Sequence, residues 1–192
     1  MSMPGSPVSL SASLISVLCS SFADNQSVRA AMGDGAGKTQ RLQALMEYAL
    51  HMTQLTGRTY ADATQQACAL VTLSGQTVLF LQRARLDLAF IRQVCGWKGL
   101  LPLLYRNRKI ASARLQVPHH YLWFLGVRPE CQNQGRGTWL LQQILADASA
   151  SATEVLLETS LPANLPFYER SGFQVYREID VGYRLFFPRS GQ

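Results

Sequence analysis

Apolar positions change period several times along the chain, and each change marks an element. Leu14, Ile15, Leu18 and Phe22 recur at helical spacing over Ser11–Phe22, where positions one and two turns apart share a face. Ala23-Asp24-Asn25-Gln26 ends that helix. A second amphipathic helix over Gln40–Leu55 carries Leu42, Leu45, Met46, Ala49, Leu50 and Met52, with Gly57 just beyond its end. The period then falls to two. Thr59–Ala63 and Ala67–Leu73 read as strands around the polar turn Thr64-Gln65-Gln66. Helical spacing returns over Leu79–Cys95, with Leu81, Leu88, Ile91 and Val94 inward and Arg83, Arg85 and Arg92 on a solvated face. Leu100–Leu104 adds a further helical turn, followed by solvated Arg106–Lys109.

The stretch Tyr121–Leu145 organises the rest. A run of large apolar residues, Tyr121–Val127, ends at Arg128-Pro129; the glycine-bearing turn Gln132–Gly137 follows, and helical spacing resumes over Thr138–Ala150. That is strand, turn, helix. Glu154–Thr159 is the next strand, and Asn164–Arg170 a short helix closed by Gly172. Phe173–Val181 and Tyr183–Phe187 form a hairpin around Gly182. Near the start, Met1–Pro7 reads as a frayed terminus and Val8–Leu10 as a short first strand. Met32–Thr39, MGDGAGKT, shares G-K-T with nucleotide-binding P-loops, but Met32 stands where that motif needs glycine and no apolar strand precedes it, so it reads as a linker.

Composition narrows the class. The 192 residues are 47% hydrophobic and 16% charged, which suits one globular domain over the whole chain. The net charge of +6 raises a nucleic-acid reading, but Arg29, Arg41, Arg58, Arg83, Arg92, Arg114 and Arg184 are dispersed, without a dense basic run. Cys19, Cys68, Cys95 and Cys131 lack metal-site spacing, so no metal is expected, and four free thiols point to a reduced, cytoplasmic setting. Leu10–Cys19 lacks the positive n-region of a secretion signal, and no apolar run reaches membrane-spanning length. Neither nucleic acid nor a membrane is expected as a partner; a homodimer stays open.

The turn carries the first candidate chemistry. A helix start offers backbone N–H groups without intrahelical partners at the positive end of the dipole, a setting for phosphate oxygens. Gly135 and Gly137 let the main chain approach a bulky pyrophosphate. The spacing Leu125-x-Val127-x-Pro129-x-x-Gln132-x-x-Gly135-x-Gly137 resembles the acetyl-coenzyme A signature of the GNAT superfamily of N-acetyltransferases. A second stretch, Leu157–Phe173 or LETSLPANLPFYERSGF, resembles the Asn and [FY]-Y-x-x-x-G-F run of that superfamily, and is most similar to the group that includes puromycin N-acetyltransferase. It departs from the commoner pattern in having Leu161 seven residues before Tyr168, where the Asn usually stands. Gln132 also replaces a frequent Arg, leaving Arg136 and the helix dipole to face the phosphates.

The resemblance implies an α/β (α+β) fold of the GNAT type: a mixed, mostly antiparallel twisted sheet of six to seven strands flanked by helices. The cofactor cleft would open between the fourth and fifth strands, Tyr121–Val127 and Glu154–Thr159. It implies acetyl-CoA as co-substrate, held by Leu125, Gly126, Val127, Gln132, Asn133, Gln134, Gly135, Arg136, Gly137 and Thr138, with Asn164 on the pantetheine arm, Phe167 beside it and Tyr168 near the sulfur. An amine attacking a thioester needs a polarised carbonyl and protection for the departing thiolate. Backbone N–H groups of Leu125–Val127 serve the first and the Tyr168 hydroxyl the second. Glu158, at the end of its strand, is the candidate base, acting through water; His119, His120 and Glu130 are weaker candidates. Adjacent histidines on an extended segment face opposite sides, which disfavours a shared metal. Direct transfer to a primary amine follows, since no nucleophilic Cys or Ser motif suggests a covalent intermediate. The similarity favours a small-molecule acceptor. A protein N-terminus or lysine, or a module that binds acyl-CoA without turnover, are the alternatives. An acidic groove would favour a basic peptide, and an apolar pocket lined by Leu86, Phe90 or Trp97 a small amine.

Overall fold

The computed structural model describes residues 12–33 and 36–191; the strand expected at Val8–Leu10 lies outside them. Six strands form one sheet in the order β1-β2-β3-β4-β6-β5, where β1 is Gly57–Ala61, β2 Ala67–Leu73, β3 His119–Val127, β4 Glu154–Leu157, β5 Phe173–Asp180 and β6 Arg184–Ser190. The β3–β4 pair is parallel and the other pairs antiparallel. Thus the expected fourth and fifth strands are β3 and β4. A parallel pair needs a crossover, and the helix Arg136–Ala150 supplies it.

Helices cover both faces. On one, α1 (Ala12–Phe22) and α3 (Lys38–Thr56) bury Leu14, Leu18, Met46 and Leu50 against Leu70 and Phe124 of the sheet. Between them lies a short helix absent from the apolar pattern, α2 (Gln26–Met32). Asn25 creates it: its side-chain oxygen accepts from the N–H groups of Ser27 and Val28 at 3.0 and 3.2 Å, satisfying two of the otherwise orphaned donors. On the other face, α6 (Arg136–Ala150) buries Leu141, Ile144 and Ala148 against Ala69, Val71, Leu122, Val155 and Leu157. Small residues on β2 admit this close approach.

The segment after β2 departs from its sequence pattern. The helix α4 (Phe80–Phe90) passes through a π-helical turn at Ile91–Cys95 into α5 (Gly96–Ala113), which continues through Pro102. No residue of α4 is buried: Leu81 is 72% and Leu88 46% exposed, although periodicity places both inward. Periodicity specifies a stripe, not what covers it. α4 is fixed to α3 instead by a polar contact, Tyr48 donating to Asp87 at 2.7 Å, and by Phe90 against the Tyr48 ring. Arg106 is not simply solvated either; its Nε donates to the Tyr183 hydroxyl at 2.8 Å. The last helix, α7 (Leu165–Glu169), follows a 3-10 turn at Pro162–Asn164. Among the described residues no helix is long and apolar enough to cross a membrane.

Candidate functional site

The site begins where two strands part. β3 and β4 pair from His119↔Glu154 to Leu122↔Leu157, and pairing stops there. At the same level the β2–β3 register slips: Leu70 faces Phe124 and Val71 faces Leu122, leaving Trp123 as the extra residue of a bulge. A bulge bends its strand, and beyond it Phe124–Val127 stays with β2 while the side toward β4 opens. Arg128 N–H donates to Gln66 C=O at 2.9 Å. Since antiparallel bonding alternates, Phe124 and Gly126 direct their backbone groups at β2, and Leu125 and Val127 direct theirs into the gap. The Val127 carbonyl is taken there by Ser21 Oγ at 2.9 Å and the Gln132 amide at 3.3 Å, so its N–H and the Leu125 groups remain available.

After β3 the chain makes a 3-10 turn at Pro129–Cys131 and enters α6 through Gly135, whose φ of +78° lies in the left-handed region. L side chains pay about 1–2 kcal/mol to adopt it. No side chain caps this helix, so the first N–H groups of α6 are open to a ligand. A Cβ at Gly137 would meet Val127 and Phe167 no closer than 3.6 Å. The protein's own packing therefore does not demand glycine there, and the vacant volume belongs to the cleft.

That cleft, about 1430 Å³, runs through the gap between β3 and β4 to both faces of the sheet. Leu125, Val127, Gln132, Asn133, Gly135, Arg136, Gly137, Thr138, Glu158, Asn164, Phe167 and Tyr168 all line it. Two expected residues do not. Gly126 lies beneath α1, where a Cβ would come 3.0 Å from Ser21 Oγ, and the Gln134 amide turns to the Glu130 carbonyl at 3.3 Å. Arg136 lines the cleft, and its Nη1 donates to the Asp62 carboxylate and the Thr64 hydroxyl. Asp62 also accepts from the N–H groups of Gln66 and Ala67, so Arg136 also ties the β1–β2 turn to α6. Arg170 was missed. It lies one turn after Phe167, lines the same cleft and has no ion-pair partner among the described residues. Its signal was present in the FYER run.

Tyr168 is buried on the wall, its ring between Phe167 at 5.1 Å and Phe173 at 5.7 Å. Burial pushes its phenol up from 10.0 to about 12, so it holds its proton at neutral pH. Among the described residues nothing hydrogen-bonds its hydroxyl. Glu158 lies just past β4 and pairs with Arg114, Nε to Oε1 at 2.5 Å. Arg114 also stacks over the Tyr121 ring, 4.0 Å from its centroid. Burial works against the Arg114 charge, but Tyr121 and Glu158 outweigh it and raise its pKa. Neither histidine reaches the cleft: His120 is buried against the Thr153 hydroxyl at 2.8 Å, and the His119 ring meets the Val117 carbonyl. Glu130 also lies outside, beside Arg128. Among the described residues no His, Cys, Asp and Glu group is arranged to hold a metal.

On the α3–α5 side the wall carries Tyr48, Phe90 and Trp123, with Asp87 accepting from Tyr48 and Arg83. Of the expected apolar lining, Phe90 is present, whereas Leu86 and Trp97 lie outside.

A twisted, mostly antiparallel sheet split between two parallel strands, with a glycine-entered helix at the split, is the GNAT fold. Residues 93–175 match the Acetyltransferase (GNAT) domain. Solved structures agree at the level of fold. A histone acetyltransferase HPA2 and related acetyltransferase from Corynebacterium glutamicum is 17% identical, with 96% of this chain and 93% of that one covered and a TM-score of 0.68. The C-terminal condensation domain of Ebony, in complex with beta-alanyl-dopamine, is 8% identical with 92% of each chain covered and a TM-score of 0.60. The NatC complex bound to Gag peptide and CoA is 13% identical, with 97% of this chain and 96% of that one covered and a TM-score of 0.53. The match over residues 93–175 and the shared fold support an acetyl-CoA-dependent acyltransferase of the GNAT type.

Proposed function

We propose that this protein, as one domain spanning the chain, transfers the acetyl group of acetyl-CoA directly to the primary amine of a small molecule, with Tyr168 as the acid. The observation that carries the reading is the placement of a buried, protonated phenol on the same cleft wall as the uncapped start of α6 and the open edge of β3. In this reading the N–H groups of Gly135–Thr138 meet the pyrophosphate, with Arg170 in the place expected of Arg136. Leu125 and Val127 hold the pantetheine arm and the thioester oxygen through their N–H groups, with Asn164 and Phe167 flanking. The amine attacks the acetyl carbonyl; the C–N bond forms as the C–S bond breaks. Tyr168 gives its proton to the departing sulfur, and the amine proton leaves through water toward Glu158. Solvent restores the phenol.

The fold is shared by a peptide-bound complex and by a domain bound to beta-alanyl-dopamine, so the acceptor must be argued from this cleft. It is not acidic: its two carboxylates, Asp87 and Glu158, are each paired with an arginine, which disfavours a basic peptide. The aromatic wall of Tyr48, Phe90 and Trp123 favours a small amine, as does the likeness of the Leu157–Phe173 stretch to the puromycin acetyltransferase group. Free-thiol release from acetyl-CoA across a panel of small amines and N-terminal peptides tests the reading. Turnover with small amines is expected; turnover with peptides alone overturns it.

A further inference from the structure

The acceptor half of the cleft has an unbalanced charge. Arg83 faces Asp87 across one helical turn, and Arg114 faces Glu158. Arg106 also lines the cleft, yet among the described residues no carboxylate pairs with it. Its contacts are with Tyr183, on the turn between β5 and β6: Nε donates to the hydroxyl at 2.8 Å, and the guanidinium carbon lies 5.6 Å from the ring centroid. Held at Nε, the guanidinium keeps its terminal amino groups for another partner. Asn107 stands beside it on the same wall of α5.

Arg106 lines the same cleft as Tyr121, Arg114 and Glu158. Tyr121 in turn lies under Arg114, which is paired with Glu158. Arg106 and the candidate base thus share one cleft. A guanidinium fixed at one nitrogen presents a planar, directional face that matches a carboxylate.

We propose that the acceptor is an amine that also carries a carboxylate, and that Arg106, with Asn107, binds that carboxylate and thereby selects the substrate. The inference rests on the acetyltransfer reading and adds the acceptor's chemical class. An amine without the anion leaves Arg106 unanswered in a cleft that already holds a surplus of positive charge, so cationic di- and polyamines are the poorest acceptors.

The test compares matched acceptors, phenylalanine with phenethylamine, tyrosine with tyramine and γ-aminobutyrate with propylamine, in wild type, Arg106→Met, Arg106→Lys and Asn107→Ala. The readout is the ratio of kcat/KM for the carboxylated to the decarboxylated partner. Comparing that ratio between proteins cancels differences in amine basicity. Coenzyme A affinity by calorimetry reports that each variant is folded. A charged hydrogen bond is worth about 10- to 150-fold in such a ratio. Wild type should favour at least one carboxylated acceptor by that order, Arg106→Met should erase the preference, and Arg106→Lys should retain part of it. If decarboxylated amines are used as well as their partners, or the preference survives Arg106→Met, the inference is overturned and acetyltransfer to small amines stands. If peptides alone are acetylated, both fall.

Discussion

Replacing Tyr168 by Phe removes one oxygen from a buried ring, and the structure separates what that does to folding from what it does to chemistry. The ring keeps its edge contacts with Phe167 and Phe173. No hydrogen bond to the hydroxyl is lost among the described residues, so stability should change by less than about 1 kcal/mol. Coenzyme A affinity should hold for the same reason. Turnover should not. If the phenol protonates the thiolate, its removal costs about 10²–10⁴-fold, or about 2.7–5.5 kcal/mol of barrier. Tyr168 has its pKa raised to about 12, so the acid form, and the stability gained by burying a neutral phenol, are complete below pH 10 and lost only as pH climbs through the folded value. No alkaline limb below that range should belong to it. The assay is free-thiol release under saturating acetyl-CoA, with calorimetry and thermal melting on the same samples. An unchanged kcat, or a fall in kcat matched by an equal fall in affinity, would refute the acid assignment.

Glu158→Gln should flatten the acidic limb of the pH–rate profile if Glu158 is the base. Because it leaves Arg114 without its counter-ion, it should also cost on the order of 1–3 kcal/mol in a urea melt; an unaltered limb passes the role to water. Gly137→Trp should abolish coenzyme A binding by calorimetry while the protein stays folded, whereas Gly135→Ala should lower stability by about 1–2 kcal/mol through its left-handed backbone. Equal affinity in the first, or an unchanged melting temperature in the second, would contradict these placements. Asp62→Ala removes the acceptor for Arg136, Thr64 and two backbone N–H groups and should cost on the order of 2–4 kcal/mol at neutral pH. Burial opposes the Asp62 charge, but the Thr64 hydroxyl, the Ala67 and Gln66 N–H groups and Arg136 outweigh it and lower its pKa below 3.8. Its contribution is therefore present at neutral pH and lost as pH falls through that depressed value. The gap between wild type and variant should close in strong acid, and a gap that widens there would be inconsistent with the assignment.

The sheet and the cleft were legible where the signal was local. A two-residue period marks β1 and β2, and the strand–turn–helix at Tyr121–Leu145 fixes β3 and α6 because glycine spacing and apolar period agree. The splitting of β3 from β4 was expected at the right place, although the bulge at Trp123 that opens it leaves no trace in composition. Other features depend on partners distant in sequence. Leu81 and Leu88 have helical spacing, but nothing in the pattern says whether a layer covers them, and none does among the described residues. Arg136 sits where a phosphate ligand is expected, and Asp62, 74 positions earlier, also holds its Nη1. Asn25 reads as a helix end from one side and caps α2 on the other. The histidine pair fell outside the cleft because its end of β3 is the paired end, not the open one.

The account turns on a thioester lying in the gap between β3 and β4 beside a protonated phenol. A crystal structure of the protein with coenzyme A measures that directly. The pyrophosphate should sit on the N–H groups of Gly135–Thr138 and the sulfur within hydrogen-bond reach of the Tyr168 hydroxyl. A coenzyme bound elsewhere, or a sulfur turned away from Tyr168, would contradict it.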